Sequence, residues 1–514
     1  MKKLVLTFIL FFYLIHFSSA QITYNKLFQL DTQTYGPATE FFDVSEDGKF
    51  IYVLGEYQDD NNSSIYETTS FVLTFNQNGN ILHRINFKPS AHYSNFVPID
   101  NNGFAVIASD NVDSFSILKI YPLNNTIIEI KKPTNISPFG GGFRQLSRTK
   151  DNHFLIAGSI HSPSPNYGIG EIYMKLDSLG NTVWRKDSMT YSPESNRTTQ
   201  MIELKNGNYL LIGNRQYKNY GFSTFESQGC FKILDSSGVV LSTTYTDNNR
   251  LLTFGHTMAL DNGEILITGT ERFTSGLGAA DVELRGYICK YDTTGQLLWD
   301  YSLDKDYDYL SGRFIVLNDG SCIASGIRGD TIPNHLVHGQ IDSTKRHGFL
   351  LKLAPDGTKI WERKFTALDS LSYTSRYLFS ITEATNGDLV SIGKVSYHHN
   401  FTHGTLGWII RTDSFGCIVP GCQLLDNTEN QTFDDINQLT VFPNPTSDLI
   451  TFRFEKPLND GSIRIFNSLG QELKMQQVID NQGQINCSNW QNGMYFYGVY
   501  DKNRLVKTGQ FLKQ

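Results

Sequence analysis

One sequence pattern returns seven times between Phe41 and Pro420, and this repetition limits the folds that the chain can adopt. Each copy opens with a polar turn, continues as a short apolar strand and ends on a small residue. These end residues are Gly55, Ser109, Gly158, Gly213, Gly269, Gly326 and Gly393, at intervals of 49 to 67 residues. A repeat of this length corresponds to one supersecondary unit, so we expect an array of similar units.

The second half of each copy is a strand, a tight turn and another strand, as in IYMKLDSLGNTVWRK. Glycine, or asparagine in the second copy, fits a turn position with positive φ; these turn residues are Gly79, Asn124, Gly180, Gly238, Gly295, Gly357 and Gly416. Each copy therefore holds about four short strands, and this pattern predicts an all-β protein with a seven-bladed β-propeller, whose radial closure leaves few exposed edges. An open array of two-sheet sandwiches is the alternative.

The two ends of the repeat region predict how such a ring is closed. The seventh copy lacks a final strand, because the chain after Gly416 reads Cys-Ile-Val-Pro-Gly. Residues 24–30 form a strand-like segment with no place in the first copy. We predict that this segment completes the seventh blade.

Composition supports an all-β class and excludes some partners. The chain is 39% hydrophobic and 18% charged, with 43 glycines, which suits large cores joined by many tight turns. A net charge of −7 over 514 residues provides no basic face for nucleic acid and no polybasic segment for anionic lipid. We expect neither partner.

The first twenty residues have the pattern of a signal peptide. Met1-Lys2-Lys3 is basic, residues 4–17 are almost entirely apolar, and Ser18-Ser19-Ala20 suits signal peptidase. An uncleaved anchor is the alternative, but the apolar stretch would span only about 21 Å of a roughly 30 Å hydrocarbon layer. We therefore expect a mature chain from Gln21 with no transmembrane segment.

Six cysteines are too few for a disulfide-built scaffold of this size. Cys417 and Cys422 flank a short turn and predict a local disulfide, with two free thiols as the alternative. Cys230, Cys289 and Cys322 lie in repeat strands and are interpreted as small buried apolar residues. No CxxC spacing indicates a zinc site.

Three tryptophans stand four residues after the turn glycine: Trp184, Trp299 and Trp361. Large aromatic side chains at one repeat position are expected to pack blade against blade. The arrangement D-x-x-G-x-x-x-W resembles the tryptophan-docking repeat of quinoprotein dehydrogenases and their noncatalytic relatives, with one residue fewer between Asp and Gly. The resemblance implies a propeller, and we expect no quinone cofactor.

A basic residue stands five positions before the turn residue in five copies: Lys119, Lys175, Lys290, Lys352 and Arg411. A ring of cations would suit an anionic glycan or nucleotide. Asp177, Asp292 and Asp413 follow three of them at i+2, which is the same face of a strand. We interpret the basic residues as members of local ion pairs.

Two clusters resemble metal sites only in part. Asp304, Asp306 and Asp308 alternate as calcium ligands could, but the glycine and distal glutamate of an EF-hand loop are missing, so calcium is a weak candidate and no other cofactor is expected. The segment SYHHNFTHG, at residues 396–404, lacks an HExxH frame and is predicted to be a solvated loop.

The last part of the chain carries three ordered motifs, VFPNPTSDLITF, IRIFNSLGQEL and WQNGMYFYGVY, followed by a basic end. It resembles the type A C-terminal sorting domain of the type IX secretion system of Bacteroidota; the matching positions are Pro443, Asn444, Pro445, Gly470, Gly493, Tyr495 and Lys507. The resemblance implies an immunoglobulin-like β-sandwich that binds the outer-membrane secretion machinery and is then removed. It also implies a protein that is secreted or displayed on the outer cell surface.

These patterns predict four segments: a signal peptide at residues 1–20, the propeller at 21–420, a linker at 421–437 and the sorting domain at 438–514. No nucleophile elbow, phosphate loop or zinc-protease motif occurs. We therefore expect a noncatalytic binding or adhesion module for a surface glycan or protein. The alternative is a secreted hydrolase or lyase acting on polysaccharide or peptide, which would require two carboxylates, or a histidine and a carboxylate, converging at the channel mouth.

Overall fold

The computed structural model of the protein describes residues 22–418, Cys422 and residues 439–514, with gaps at 30–39, 60–66, 89–94, 101, 112–113, 131–140, 162–168, 189–193, 219–224, 247–250, 261, 275–281, 293–294, 305–307, 330–335, 338–339, 342–345, 368–374, 400–401, 455–457, 459–460, 468–471 and 502–503. The predicted signal peptide lies outside the described residues. Two compact units are present, one formed by Tyr24–Arg411 and the other by the residues on either side of that range.

The Tyr24–Arg411 unit begins with strand β1 (Tyr24–Phe28) and continues with antiparallel groups of four strands, which we number as blades; a parallel pairing of Arg346 with Ser375 joins the sixth and seventh groups into one sheet. Blade 1 contains β2 (Glu40–Glu46), β3 (Phe50–Asp59), β4 (Glu67–Asn76) and β5 (Ile81–Phe87); blade 2 contains β6 (Val97–Ile99), β7 (Gly103–Asn111), β8 (Ser114–Tyr121) and β9 (Thr126–Ile130), with a 3₁₀ turn at Pro122–Asn124; blade 3 contains β10 (Gly141–Arg148), β11 (Phe154–His161), β12 (Ile169–Leu176) and β13 (Thr182–Ser188).

Blades 4 to 7 repeat the same order. Blade 4 contains β14 (Glu194–Glu203), β15 (Tyr209–Lys218), β16 (Phe225–Leu234) and β17 (Val240–Tyr245); blade 5 contains β18 (Leu251–Ala259), β19 (Ile265–Thr274), β20 (Val282–Tyr291) and β21 (Leu297–Ser302). Blade 6 contains β22 (Tyr309–Val316), β23 (Cys322–Gly329), a small hairpin of β24 (Leu336–Val337) and β25 (Gln340–Ile341), β26 (Arg346–Leu353) and β27 (Lys359–Phe365); blade 7 contains β28 (Ser375–Glu383), β29 (Leu389–His399), β30 (Thr402–Thr412) and β1.

The ring is closed by the strand from the beginning of the chain. Strand β1 pairs antiparallel with β30, and Leu27 lies opposite Trp408. The indole Nε1 of Trp408 donates to Asn25 Oδ1 at 2.6 Å. The prediction that residues 24–30 complete the seventh blade is therefore confirmed for the paired segment.

Apolar layers between neighbouring blades hold the ring together. Blade 7 packs on blade 1 through Ile392 and Ile409, which lie in one cluster with Phe41 and Val53. Equivalent layers join the other neighbouring blades. Trp408 of blade 7 contacts the backbone of blade 6, because a Cβ built on Gly348 would lie 2.7 Å from its ring. The chain forms a propeller, and the open array is excluded.

Two of the three tryptophans pack between blades as predicted, and the third, Trp361, is buried. The ring of Trp184 covers the turn glycine Gly238 of the next blade, and its Nε1 donates to Ser236 O at 3.0 Å. Trp299 repeats this arrangement on Gly357 and donates to Pro355 O at 2.8 Å. Each of these two indoles thus joins an outer strand to the following blade.

The cysteines in the repeat strands are small buried residues. Cys230, Cys289 and Cys322 are buried, as predicted, and burial raises the pKa of Cys230 to about 12.

The SYHHNFTHG segment was predicted to be a loop, and this is wrong. Strand β29 continues to His399 and β30 begins at Thr402, so the segment is a β-hairpin. The side chains of its histidines lie outside the described residues.

The second unit contains a two-sheet module. One sheet has the order β31 (Leu439–Phe442), β32 (Leu449–Phe454), β35 (Gln482–Asn486), and the other has the order β34 (Glu472–Gln477), β33 (Gly461–Phe466), β36 (Gly493–Asp501), β37 (Arg504–Lys513). Phe452 of the first sheet packs with Ile463, Val499 and Phe511 of the second, which makes the module a β-sandwich. In the same unit, Cys417 and Cys422 form a disulfide with a Cα–Cα distance of 5.5 Å.

Among the described residues, no helix is both long enough and apolar enough to cross a membrane.

Candidate functional site

One polar residue per blade lies at an equivalent place, at or just before the inner strand. We name these seven residues the axial girdle: Asp43, Asn95, Gln145, Gln200, His256, Arg313 and Ser380. In every blade except the second, the girdle residue lies at an irregularity in the pairing of the inner strand. A bulge locally bends a strand and redirects its side chains, which explains why polar residues can interrupt an apolar strand here.

The carboxylate of Asp43 is the centre of the girdle. Its Oδ1 accepts from Val44 N at 2.9 Å and from Ser380 Oγ at 2.9 Å. Its Oδ2 accepts from Phe96 N at 2.7 Å and from Arg313 Nη1 at 2.6 Å. Asp43 is only 4% exposed, so one buried carboxylate joins blades 1, 2, 6 and 7.

The ion pair between Asp43 and Arg313 joins two blades that are not neighbours, because blade 7 lies between the blades that carry them. A carboxylate offers about four lone-pair sites, and four donors occupy those of Asp43. A buried charge pair is stable only when its hydrogen bonds are satisfied in this way. The carboxylate therefore acts as a structural tie between blades.

Neutral amides continue the girdle between other blades. The side chain of Asn95 accepts from Leu146 N at 3.0 Å and donates to Leu146 O at 2.9 Å. Gln200 Oε1 accepts from Thr257 N at 2.9 Å. Inner strands of neighbouring blades do not form a continuous sheet, so these side chains pair backbone groups that would otherwise be buried without partners.

The girdle residues of blades 3 and 5, Gln145 and His256, form a second half that is uncharged. His256 Nδ1, Gln145 Oε1 and Thr257 Oγ1 are buried and have no hydrogen-bond partner within the protein. Burial, with a smaller contribution from the Arg313 cation, lowers the pKa of His256 to about 3. The imidazole is therefore neutral near pH 7, and its ring packs against Phe314 at 5.1 Å between centroids. This half offers neutral donors and acceptors.

We expect His256 to make the protein less stable in mild acid. Its pKa is about 3 when folded and about 6.5 when unfolded, so between these values the unfolded state binds more protons and stability falls as the pH is lowered. The expected loss from this group between pH 8 and pH 5 is about 2 kcal/mol. Urea unfolding of the wild type and of His256→Gln at both pH values tests this. The variant should lose about 2 kcal/mol less over the interval; equal losses would contradict the assignment.

The girdle was not predicted from the sequence, although its members leave a signal there. In five blades the girdle residue stands thirteen positions before the strand-end residue, as Gln145 does before Gly158. The interval is twelve in the first copy and fourteen in the second. The residue type differs in nearly every blade, so only the spacing and the polarity repeat.

The candidate calcium ligands contact an arginine. Arg328 Nε donates to Asp308 Oδ2 at 2.8 Å, and its Nη2 forms an ion pair with Asp304. Asp306 lies outside the described residues. Among the described residues, no group of three or more histidine, cysteine, aspartate or glutamate side chains is arranged to hold a metal ion. The calcium site stays a prediction.

Four of the five repeated basic residues form ion pairs, whereas Lys119 Nζ donates to Ser178 O at 3.3 Å. For Lys175 the predicted partner is wrong. Lys175 pairs with Asp151 at 2.9 Å, and Asp177 instead accepts from the backbone nitrogens of Leu179 and Asn181. The i, i+2 argument fails because β12 ends at Leu176, so Asp177 already belongs to the turn. Lys290, Lys352 and Arg411 likewise pair with acidic residues from the preceding hairpin of their own blades: Glu264, Asp319 and Asp388.

In the sandwich module, the segment around Pro443-Asn444-Pro445 contacts the last strand. Asn444 Oδ1 accepts from Leu512 N at 3.0 Å, and Thr446 N donates to Leu512 O at 2.9 Å. Gln514 N donates to Thr446 O at 2.9 Å. The end of β37 is thus bound along one edge by the proline-flanked segment.

The Gly493-x-Tyr495 motif binds the other edge of β37. Gly493 lies opposite Lys513, and Tyr495 lies opposite Phe511. The Tyr495 ring packs between Phe511 and Trp490, with centroids 5.6 and 5.0 Å away. Motifs about fifty residues apart therefore converge on one strand.

Two of the predicted sorting residues are less fully described. Lys507 lies on β37 opposite Val499, but its side chain lies outside the described residues. Gly470 also lies outside them.

Comparisons with solved structures return distant likenesses. A polysaccharide lyase, Uly1, is 7% identical and has a TM-score of 0.43, covering 77% of this chain and 94% of that one. A protein of unknown function from Dyadobacter fermentans is 13% identical with a TM-score of 0.38, covering 73% and 94%. An α-L-arabinofuranosidase of Fusarium graminearum is 13% identical with a TM-score of 0.37, covering 76% and 98%. At these TM-scores the likenesses carry no argument about activity.

Comparison with curated protein sequences gives no match. Residues 440–514 match the family described as the secretion system C-terminal sorting domain. This range coincides with the sandwich in which the proline segment and the Gly493-x-Tyr495 motif bind the last strand. The chain ends in a secretion-system C-terminal sorting domain, which indicates export by the type IX secretion system to the cell surface or the extracellular space.

Proposed function

We propose that the propeller is a noncatalytic binding or adhesion module, exported by the type IX machinery and directed at a surface glycan or protein. The single observation that supports this is the saturated carboxylate of Asp43. All four of its hydrogen-bond partners belong to the protein, so no lone pair is available to remove a proton from a substrate.

The alternative is a hydrolase or lyase acting on polysaccharide or peptide at the channel mouth. General acid–base catalysis works best with a group whose pKa lies near the working pH. The pKa of His256 lies near 3, so its imidazole is a poor base at neutral pH. Glycoside hydrolysis uses a pair of carboxylates, and Asp43 is the one carboxylate in the axial girdle.

The ligand class follows from the second half of the girdle, Gln145 and His256, and from Thr257 beside it in the chain. Gln145 Oε1, Thr257 Oγ1 and His256 Nδ1 are uncharged, buried and unpaired within the protein. Hydroxyl groups can both donate and accept, so they match such a mixed set. A neutral hydroxyl-rich segment, such as part of a glycan, is the ligand that this chemistry favours.

Binding and turnover can be measured in the same experiment. The secreted full chain is incubated with an array of neutral and acidic glycans and with a peptide library, and retention and product release are both recorded. We expect retention of a neutral glycan without product. Gln145→Leu should weaken it about tenfold, because one buried hydrogen bond is lost. Gln296→Leu, at an exposed turn position of blade 5 in the same propeller, is the matched control.

The contrary outcome is equally specific. Release of new products that disappears in a folded Asp43→Asn variant would replace the binding proposal with the hydrolase or lyase. Loss of retention in both glutamine variants would mean that the girdle is not the ligand site.

For export, we propose the processing order that the sequence predicts: removal of residues 1–20, passage of the propeller at 21–420 and linker at 421–437, and recognition of 438–514. Phe511→Ala should block export. Phe511 is fully buried against Tyr495, and such a truncation costs about 3–5 kcal/mol, enough to unfold a small module. Fractionation of cells that express the variant should find it in the periplasm. Met475→Ala, 43% exposed in the same module, should be exported normally; normal export of Phe511→Ala would contradict the prediction.

A further inference from the structure

The larger sheet of the sorting module has apolar side chains on both of its faces. Its strand β36 reads MYFYGVY over residues 494–500, and the odd-numbered residues belong to the core of the sandwich. Because side chains alternate along a strand, Met494, Phe496 and Tyr500 point away from that core. An antiparallel strand with one face in water usually alternates apolar and polar residues, so an uninterrupted apolar strand indicates that its second face is also covered.

Neighbouring strands extend this outward apolar surface. Phe466 of β33 lies directly opposite Phe496, and Leu512 of β37 lies directly opposite Met494. Side chains opposite one another on paired strands are about 5 Å apart, so they form one continuous patch. We name it the aromatic face, formed by Phe466, Met494, Phe496, Tyr500 and Leu512. Met494 is 38% exposed, and the other four are half-buried.

The margin of the aromatic face is polar. Glu472 and Gln477 on β34 and Gln510 on β37 are exposed. The guanidinium of Arg464 lies 4.7 Å from the centroid of the Tyr500 ring. A centre rich in aromatic residues, methionine and arginine, surrounded by a polar rim, is the composition of protein–protein interfaces.

The smaller sheet of the same module provides the contrast. Most of its outward side chains are polar: Thr440, Thr451, Arg453, Gln482, Gln484 and Asn486. Among the described residues of this sheet, the outward apolar ones are Phe442 and Leu449. Outward residues of a β-sandwich are normally polar, so the smaller sheet follows the rule and the larger sheet departs from it.

The end of the last strand is closed to a partner that would add a strand there. Thr446 pairs with Lys513 on one edge of β37, and Gly493 lies opposite Lys513 on the other. A partner that recognises the end of the module must therefore contact side chains on a face. The aromatic face includes Leu512 and thus reaches this end of the strand.

We propose that the aromatic face is the surface through which the type IX machinery holds the sorting module; this rests on the export function proposed above. Two of the three sequence motifs supply it, since IRIFNSLGQEL contains Phe466 and WQNGMYFYGVY contains Met494, Phe496 and Tyr500. These four side chains lie outside the core cluster of the module, so the packing of the sandwich does not account for them.

The choice of occupant follows from where the face lies. It belongs to residues 440–514, the part of the chain that matches the sorting-domain family and that the machinery must therefore contact. The partner chemistry that fits the face is an apolar protein surface whose polar groups meet the rim.

Export of the full chain from its own cells tests the proposal. Met494→Lys should lower the exported fraction about tenfold, because an ammonium group in an apolar contact loses its water without gaining a partner. Met494→Leu keeps an apolar side chain of similar volume and should be exported normally. Leu449→Lys, at a position 41% exposed on the outward side of the smaller sheet, is the matched control and should also be exported normally.

Limited proteolysis separates recognition from folding. Met494→Lys changes an exposed side chain, so the retained protein should keep a sorting module as resistant as that of the wild type. Phe511→Ala, which truncates a core residue, should lose this resistance. Normal export of Phe511→Ala would contradict the export proposal itself. Retention of Phe511→Ala together with normal export of Met494→Lys would refute the aromatic face alone.

Photo-cross-linking identifies the occupant directly and does not depend on the lysine variant. p-Benzoylphenylalanine is placed at position 494 or at position 449 of the full chain, and growing cells are irradiated. Position 494 should capture a component of the secretion machinery, whereas position 449 should not. Capture of the propeller of the same chain, capture of a second copy, or equal capture from both positions would overturn the proposal.

Discussion

Asp43→Ala should lower the free energy of unfolding of the propeller by about 3 kcal/mol, because it leaves the Arg313 cation, whose side chain is only 16% exposed, without its partner. The same substitution removes the acceptor of Phe96 N and of Ser380 Oγ. Urea unfolding followed by tryptophan fluorescence measures the loss. The expected effect is large because one side chain ties four blades at the axis.

Two controls separate this effect from the removal of any aspartate. Asp100→Ala should lower the free energy of unfolding by about 1 kcal/mol or less. The Asp100 side chain is 85% exposed and lies 3.4 Å from Arg148. The double variant Asp43→Ala/Arg313→Ala should be more stable than the sum of the two single losses predicts, because it removes both buried charges. A single Asp43→Ala variant within about 1 kcal/mol of wild type would show that the girdle carries no structural load.

Trp408→Ala should destabilise the propeller about as much as Asp43→Ala, for a different reason. The indole is fully buried, covers Gly348 of blade 6 and donates to Asn25 of the closing strand. Truncation of a buried tryptophan costs about 3–5 kcal/mol, and here it also removes the side-chain bond that holds β1 in place. Limited proteolysis should then cut the chain near β1 at conditions that leave the wild type intact.

Trp184→Ala provides the comparison for closure. Trp184 is only partly buried and joins two blades through its bond to Ser236 and its cover of Gly238. We expect a smaller loss of stability and no new cleavage near β1. If the two variants behaved alike, Trp408 would be another interblade contact rather than part of the closure.

The sequence predicted the fold well because a propeller is a local repeat. The turn glycines, such as Gly238 and Gly357, need positive φ, and the tryptophans four residues later need a partner on the next blade. The glycines and the tryptophans therefore recur at a fixed spacing in the sequence. The missing strand in the seventh copy also predicted that residues 24–30 would complete the seventh blade, where β1 pairs with β30.

The sequence failed where partners are distant or where a strand ends. Lys175 was assigned to Asp177 by strand geometry, but the strand stops at Leu176 and the lysine reaches Asp151. The axial girdle was invisible as a motif, because its members are unlike each other and meet only around the axis. Asp43 and Arg313 are 270 positions apart in the chain, so no local pattern connects them.

Local spacing by itself determined the strands, the turns and the sheet repeat, because each depends on side chains a few residues apart. The unmatched strand near the beginning of the chain and the ordered motifs of its last part predicted the closing segment and the sorting module. The tertiary structure alone decided which charged groups are paired within the protein. Wrapping the repeats into a ring brings Asp43, Arg313 and Ser380 from three blades to one point, where burial makes every hydrogen bond obligatory.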